Sequence, residues 1–68
     1  MPNETKQAVE WAKKQCIENE FGKKCVIENG EIDRHLLVDF VRKYFNDHNI
    51  EYGMFSYDDL IPYCFNPS

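Results

Sequence analysis

The sequence lacks long apolar stretches, and this absence excludes several classes of protein. No run of apolar residues is longer than three, so the chain contains neither a transmembrane helix nor the apolar core of a signal peptide. With 3 Gly, 3 Pro and 43% hydrophobic residues, it does not resemble disordered, collagen-like or low-complexity chains. A chain of 68 residues buries only about 60% of the surface that it exposes when unfolded. We therefore expect one domain, residues 1–68, with a small core and no deep catalytic cleft.

Paired cysteine motifs are also missing. The three cysteines, Cys16, Cys25 and Cys64, are an odd number and form no C-x-x-C pair, whereas disulfide-stabilised secreted domains carry even sets of cysteines. The pattern predicts a cytoplasmic protein with free, mostly buried thiols. A zinc site that combines these thiols with His35 or His48 is the minor alternative, because structural zinc ligands come in close pairs. We expect no metal and no cofactor.

Motifs for catalysis are absent as well. The sequence has no phosphate-binding glycine loop, no H-E-x-x-H zinc motif, no calcium loop and no nucleophile elbow. The only adjacent acidic pair, Asp58 and Asp59, points in directions about 100° apart on a helix, so it does not form a shared carboxylate site. These absences predict that the protein is not an enzyme.

Basic residues are missing from the last 25 positions. The net charge is −4, and residues 44–68 hold four acids and neither Lys nor Arg. The same stretch holds seven of the ten aromatic residues. An acidic and aromatic end repels the phosphates of nucleic acid and attracts basic surfaces.

The apolar pattern predicts a mostly α fold with two principal helices and a short third one. The first helix covers residues about 3–21, with Asn3 as its N-cap and Gly22 as its stop. The second covers residues about 31–47, and its broad apolar face, from Leu36 to Phe45, supplies the core. The third covers residues about 57–61 and begins at a cap formed by Ser56 and Asp59.

Two extended segments separate these helices. They cover residues 23–28 and 49–53, and a minor two-stranded β pair between 49–53 and Cys25–Ile27 is compatible with the pattern. Asn29 and Gly30 form a turn that has two interpretations. It could close a hairpin between Val26–Ile27 and Glu31–Ile32, but helical periodicity starts directly after Gly30. We therefore expect this turn to start the second helix.

The residues suggest a protein-binding function. Trp11 lies away from the apolar stripe of its helix, which fits either a half-buried ring at the edge of the domain or an exposed anchor for a partner. The acidic and aromatic end supplies further contacts of the kind found at protein interfaces. The candidate protein-binding residues are Trp11, Tyr52, Tyr57, Asp58, Asp59 and Tyr63.

The expected partner is a protein with a basic surface, such as a nucleic-acid-binding host protein. Phe, Tyr, Met, Ile, Asn and Lys make up 28 of the 68 residues, a bias that AT-rich coding produces. This bias suggests a phage or mobile-element protein that inhibits a host enzyme or defence complex by occupying its surface. The alternative is a small helix-turn-helix-like regulator that binds nucleic acid through the second helix, although the acidic end opposes it. A homodimer, which would bury exposed rings, is a further alternative, and no membrane partner is expected.

Overall fold

Two small hairpins follow the first helix, and two further helices follow the hairpins. The computed structural model describes residues 2–64, with side chains from residue 4 onwards. In this part, the fold is more mixed than the mostly α class that the sequence predicts. The elements in chain order are α1 (Pro2–Ala12), β1 (Cys16–Asn19), β2 (Gly22–Cys25), β3 (Ile27–Glu28), β4 (Glu31–Ile32), α2 (Arg34–Asp47) and α3 (Tyr57–Cys64).

The core lies where α1 and α3 pack against α2 and against each other. Helix α2 buries Leu37, Val41 and Phe45, whose spacing of four residues places them on one face. Helix α1 contributes small side chains, which permit a close approach between helices. The described part of the chain buries no polar or charged residue. The buried residues are Ala8, Val9, Ala12, Val26, Leu37, Val41, Phe45, Leu60 and Cys64.

The first helix is much shorter than predicted, because its expected second half forms an antiparallel hairpin. Helix α1 ends at Ala12, and β1 pairs with β2 so that Cys16 faces Cys25. At the tip, the side chain of Asn19 accepts a hydrogen bond of 2.8 Å from the backbone N–H of Phe21. Gly22 has a φ of +127°, which side chains with a Cβ rarely adopt. Asn19 and Gly22 are therefore turn residues, and the prediction of a helix to residue 21 is wrong.

The prediction of free thiols is also wrong for two of the three cysteines. A disulfide joins Cys16 to Cys25 across the β1–β2 hairpin. Cys64 is free and buried, and its burial raises the pKa of the thiol. This combination makes Cys64 a packing residue rather than a reactive nucleophile.

The second hairpin also differs from the prediction. Strands β3 and β4 pair so that Ile27 faces Ile32, and the turn between them contains Asn29 and Gly30. Both turn residues have positive φ, 53° and 79°, which is the requirement of the tight turn that Asn-Gly favours. The turn therefore closes a hairpin, and α2 begins only at Arg34.

Asp33 connects the first hairpin to the start of α2. Its carboxylate accepts a hydrogen bond of 3.1 Å from the backbone N–H of Leu36 and thereby caps the helix. The Nζ of Lys24 lies 2.9 Å from the other carboxylate oxygen. The Leu36 N–H and then Lys24 lower the pKa of Asp33, and the same contact raises the pKa of Lys24.

The C-terminal part keeps the predicted cap but not the predicted β pair. The backbone N–H of Ser56 donates to the Asp59 carboxylate at 2.9 Å, which is half of a capping box. Helix α3 runs to Cys64 and contains Pro62, so it is longer than predicted; the burial of Leu60 and Cys64 holds it on the core. Residues 49–53 form no strand, and their predicted pairing with Cys25–Ile27 is absent from the described structure.

The disulfide leads to a first testable prediction. Replacing Cys16 and Cys25 together with Ser should lower the free energy of unfolding by about 2–3 kcal/mol, because the unfolded chain loses a closed loop of this length. Urea unfolding followed by circular dichroism measures this change. As a control, thiol titration of the unfolded, unreduced wild type should find the single thiol of Cys64. A titration that finds all three thiols would contradict the pairing.

The cap of α2 leads to a second prediction. Asp33→Ala should lower the free energy of unfolding by about 1 kcal/mol, whereas Asp33→Asn, which still caps, should cost less. Folding lowers the pKa of Asp33 below its ordinary value of 3.8, so its charge stabilises the fold above that pH. This stabilisation disappears as the pH falls through the lower, folded-state pKa. Urea unfolding at several pH values tests this dependence. If the difference in unfolding free energy between wild type and Asp33→Asn did not change with pH, the role of the charge would be contradicted.

Candidate functional site

Three of the six candidate binding residues lie around one open groove. Tyr52, Asp59 and Tyr63 line it, together with residues from the start of α1 and from the segment that precedes α3. The groove has a volume of about 370 Å³. Asp58 is exposed on α3 but does not line this groove, and Tyr57 lies elsewhere, with the guanidinium of Arg34 5.7 Å from its ring centre.

Aromatic rings form one wall of this groove. Phe45, which is buried in the core, has its ring centre 5.2 Å from that of Tyr52 and 6.0 Å from that of Phe55. The rings of Tyr52 and Phe55 are 5.8 Å apart and lie edge to face. Such ring pairs hold one another in place, so the wall is preformed rather than assembled on binding.

Carboxylates provide the charge of the groove. Glu4, Glu51 and Asp59 line it, and no Lys or Arg is present among its described lining residues. The hydrogen bond from the Ser56 N–H fixes the orientation of the Asp59 carboxylate. We call this site the acidic groove; it combines an apolar wall with three negative charges.

Trp11 does not belong to the acidic groove. Its side chain is half-buried, and its ring centre lies 5.8 Å from that of Phe40 and 5.7 Å from that of Tyr44. Of the two sequence-based interpretations, these contacts favour a ring that packs at the edge of the domain. Trp11 therefore packs against α2, which carries both of these rings.

Sequence reasoning missed several exposed or lining residues. Met54 lines the acidic groove and is fully exposed, and Glu51 and Phe55 line the groove on the same segment. Phe21 is 89% exposed at the tip of the β1–β2 hairpin. Glu51 and Met54 lie close to Tyr52 in sequence, and this position could have indicated that they belong to the same site. Phe21 was missed because the prediction of a long first helix did not place it at the tip of a hairpin.

Neither a metal-binding cluster nor a membrane-spanning helix is present among the described residues. Within residues 2–64, no group of three or more His, Cys, Asp or Glu side chains is placed to hold a metal ion. In the same range, no helix has the length and apolar character needed to cross a bilayer.

Comparisons with known proteins do not assign the chain to a family. No protein-family model matches the chain, and no curated protein sequence or solved structure shows significant similarity to it.

The position of Trp11 leads to a third prediction. Trp11→Ala should lower the free energy of unfolding by about 2 kcal/mol, because the half-buried ring leaves a cavity beside Phe40 and Tyr44. Trp11→Phe, which keeps a ring there, should cost less than half as much. Urea unfolding followed by circular dichroism measures both variants. An unchanged stability of Trp11→Ala would identify the ring as a surface group.

Proposed function

We propose that this protein is a non-enzymatic protein-binding module whose acidic groove captures a basic segment of a partner protein. One observation carries the proposal: a preformed aromatic wall and three carboxylates line the same groove. The matching ligand is an apolar side chain with Lys or Arg residues on both sides of it. Aromatic contacts with a charged rim are the usual composition of an interface centre.

The rigidity of the wall supports binding rather than a structural role alone. Phe45 is 5% exposed and fixes Tyr52 and Phe55 from beneath, while Tyr52 remains 39% exposed. A partner side chain that enters the groove therefore meets rings that lose little freedom on binding. Binding sites that are ordered in advance lose less affinity to conformational entropy.

Charge supports the choice of partner. The acidic groove carries three carboxylates, and the net charge of the protein is −4. These charges attract a basic surface over a distance of about one Debye length, roughly 8 Å at physiological ionic strength, and mainly raise the association rate. A partner that uses the captured basic segment to hold an anion, such as nucleic acid, would be inhibited by occupation of that segment.

Binding of a model peptide tests this proposal and is the fourth prediction. The probe is a fluorescein-labelled peptide with one central Leu between two pairs of Lys, measured by fluorescence anisotropy at about 50 mM salt. We expect saturable binding that weakens when Leu is replaced by Ser or when Lys is replaced by Glu. Equal binding of the Glu peptide would contradict the electrostatic part of the proposal. If the Leu peptide does not bind, the acidic groove is not a site for basic segments.

Matched variants locate the binding on the protein. Glu51→Lys should weaken binding roughly fivefold to tenfold by placing a cation at the groove, whereas Asp58→Lys, which changes the charge equally outside the groove, should have a smaller effect. Tyr52→Ala should weaken binding about tenfold, and Phe21→Ala, another exposed ring, should not. Equal effects within each pair would place the peptide elsewhere.

A further inference from the structure

A second groove, of opposite charge, lies between α2 and the start of α3. Its volume is about 370 Å³, and it shares the ring of Phe55 with the acidic groove. We call it the arginine groove, because two arginines of α2 line it together with aromatic rings. Its lining residues are Arg34, His35, Val38, Asp39, Arg42, Phe55, Ser56 and Tyr57.

Arg34 provides the positive charge at one end of this groove. Arg34 lies in the first turn of the helix, directly after the N-cap Asp33, whose carboxylate already accepts the Leu36 N–H and pairs with Lys24. Cations are unfavourable there, because the helix dipole is positive at its N-terminus. Arg34 forms no ion pair with a described residue and instead stacks on the ring of Tyr57 at 5.7 Å. Arg34 is therefore a cation of the groove that no described carboxylate neutralises by direct contact.

The other end of the groove offers a flat, stacked surface. The guanidinium of Arg42 lies 5.6 Å from the centre of the Phe55 ring, and Asp39 lies 3.8 Å from Arg42 and partly balances its charge. Arg34 and Arg42 are eight residues apart on one helix, or about 12 Å along its axis. The two guanidinium groups stack on different rings, Arg34 on Tyr57 and Arg42 on Phe55, so the two ends of the groove suit two different parts of a ligand.

We propose that the arginine groove binds a nucleoside phosphate. The phosphate lies at Arg34, and the base stacks at the Arg42–Phe55 pair. Arginines are common phosphate ligands, and nucleobases stack on aromatic rings and guanidinium planes. A carboxylate ligand would use the charge but would leave the stacked surface unused, so the rings favour a nucleotide over an acidic peptide.

This site shares the Phe55 ring with the acidic groove but uses different charged residues, and it is compatible with the negative net charge. A single groove with one cation that lacks an ion pair suits a mononucleotide or one nucleotide of a single strand, rather than a duplex. With about two cations in contact, the salt dependence of binding to a strand is small, a slope of roughly −1.4 in log–log form.

Titration of the intact protein followed by NMR tests this proposal and is the fifth prediction. Adenosine 5′-monophosphate should shift the backbone amide signals of Arg34, His35, Ser56 and Tyr57 in a saturable way. Adenosine alone and inorganic phosphate alone should each bind at least about fivefold more weakly, because each reaches only one end of the groove. An oligo(dA) of eight nucleotides distinguishes a free nucleotide from a single strand as the ligand. Tighter binding than the monophosphate identifies a single strand, and binding that is no tighter identifies the free nucleotide.

Charge-matched variants and a competing ligand make the test decisive. Arg34→Gln should weaken monophosphate binding at least about fivefold, and it removes a cation from a helix N-terminus, so it does not endanger the fold. Lys43→Gln is the control, because Lys43 pairs with Asp47 and does not line the groove. No saturable shift up to about 10 mM monophosphate, equal binding of inorganic phosphate, or equal shifts with a hexaglutamate peptide would overturn the proposal. None of these outcomes involves the acidic groove.

Discussion

The packing of Phe45 is the interaction on which both the core and the binding surface depend. Its ring is buried between the helices, and it also contacts the rings of Tyr52 and Phe55, which line the acidic groove. The backbone carbonyl of Phe45 accepts a hydrogen bond from Ile50, so the same residue sets the path of the chain after α2. A small protein has few buried residues. Phe45 is one of them, and it contributes both to the stability of the fold and to the shape of the acidic groove.

Helical periodicity predicted the helices near the core, and pairing between short strands accounts for the errors. The four-residue spacing of Leu37, Val41 and Phe45 predicts α2, and the capping pattern with Asp59 predicts the start of α3. The pairing of Cys16 with Cys25 joins residues nine positions apart in a hairpin, and an odd cysteine count argues against such a bond. Residues 13–21 followed a weak helical pattern, so a covalent and hydrogen-bonded hairpin outweighed local propensity.

The acidic groove was predicted in part, because its residues lie close together in sequence. Composition identified the acidic and aromatic end of the chain, and Tyr52, Asp59 and Tyr63 from that end line one groove. Trp11 was selected for its polar neighbours on α1, but helix packing covers it with Phe40 and Tyr44. The arginine groove was not predictable, because only the packing of α2 beside α3 brings Arg34 to Tyr57.

Two oppositely charged grooves can coexist in a molecule of this size because electrostatic interactions at its surface are short-ranged. The Debye length at physiological ionic strength is roughly 8 Å, whereas the molecule extends 37 Å along its longest axis. The net charge of −4 therefore does not determine the potential at Arg34, which depends on nearby groups such as the Asp33 carboxylate and the Lys24 ammonium that pairs with it. Whole-chain charge argued against an anionic ligand from the sequence, but the local arrangement of charges decides what each groove attracts.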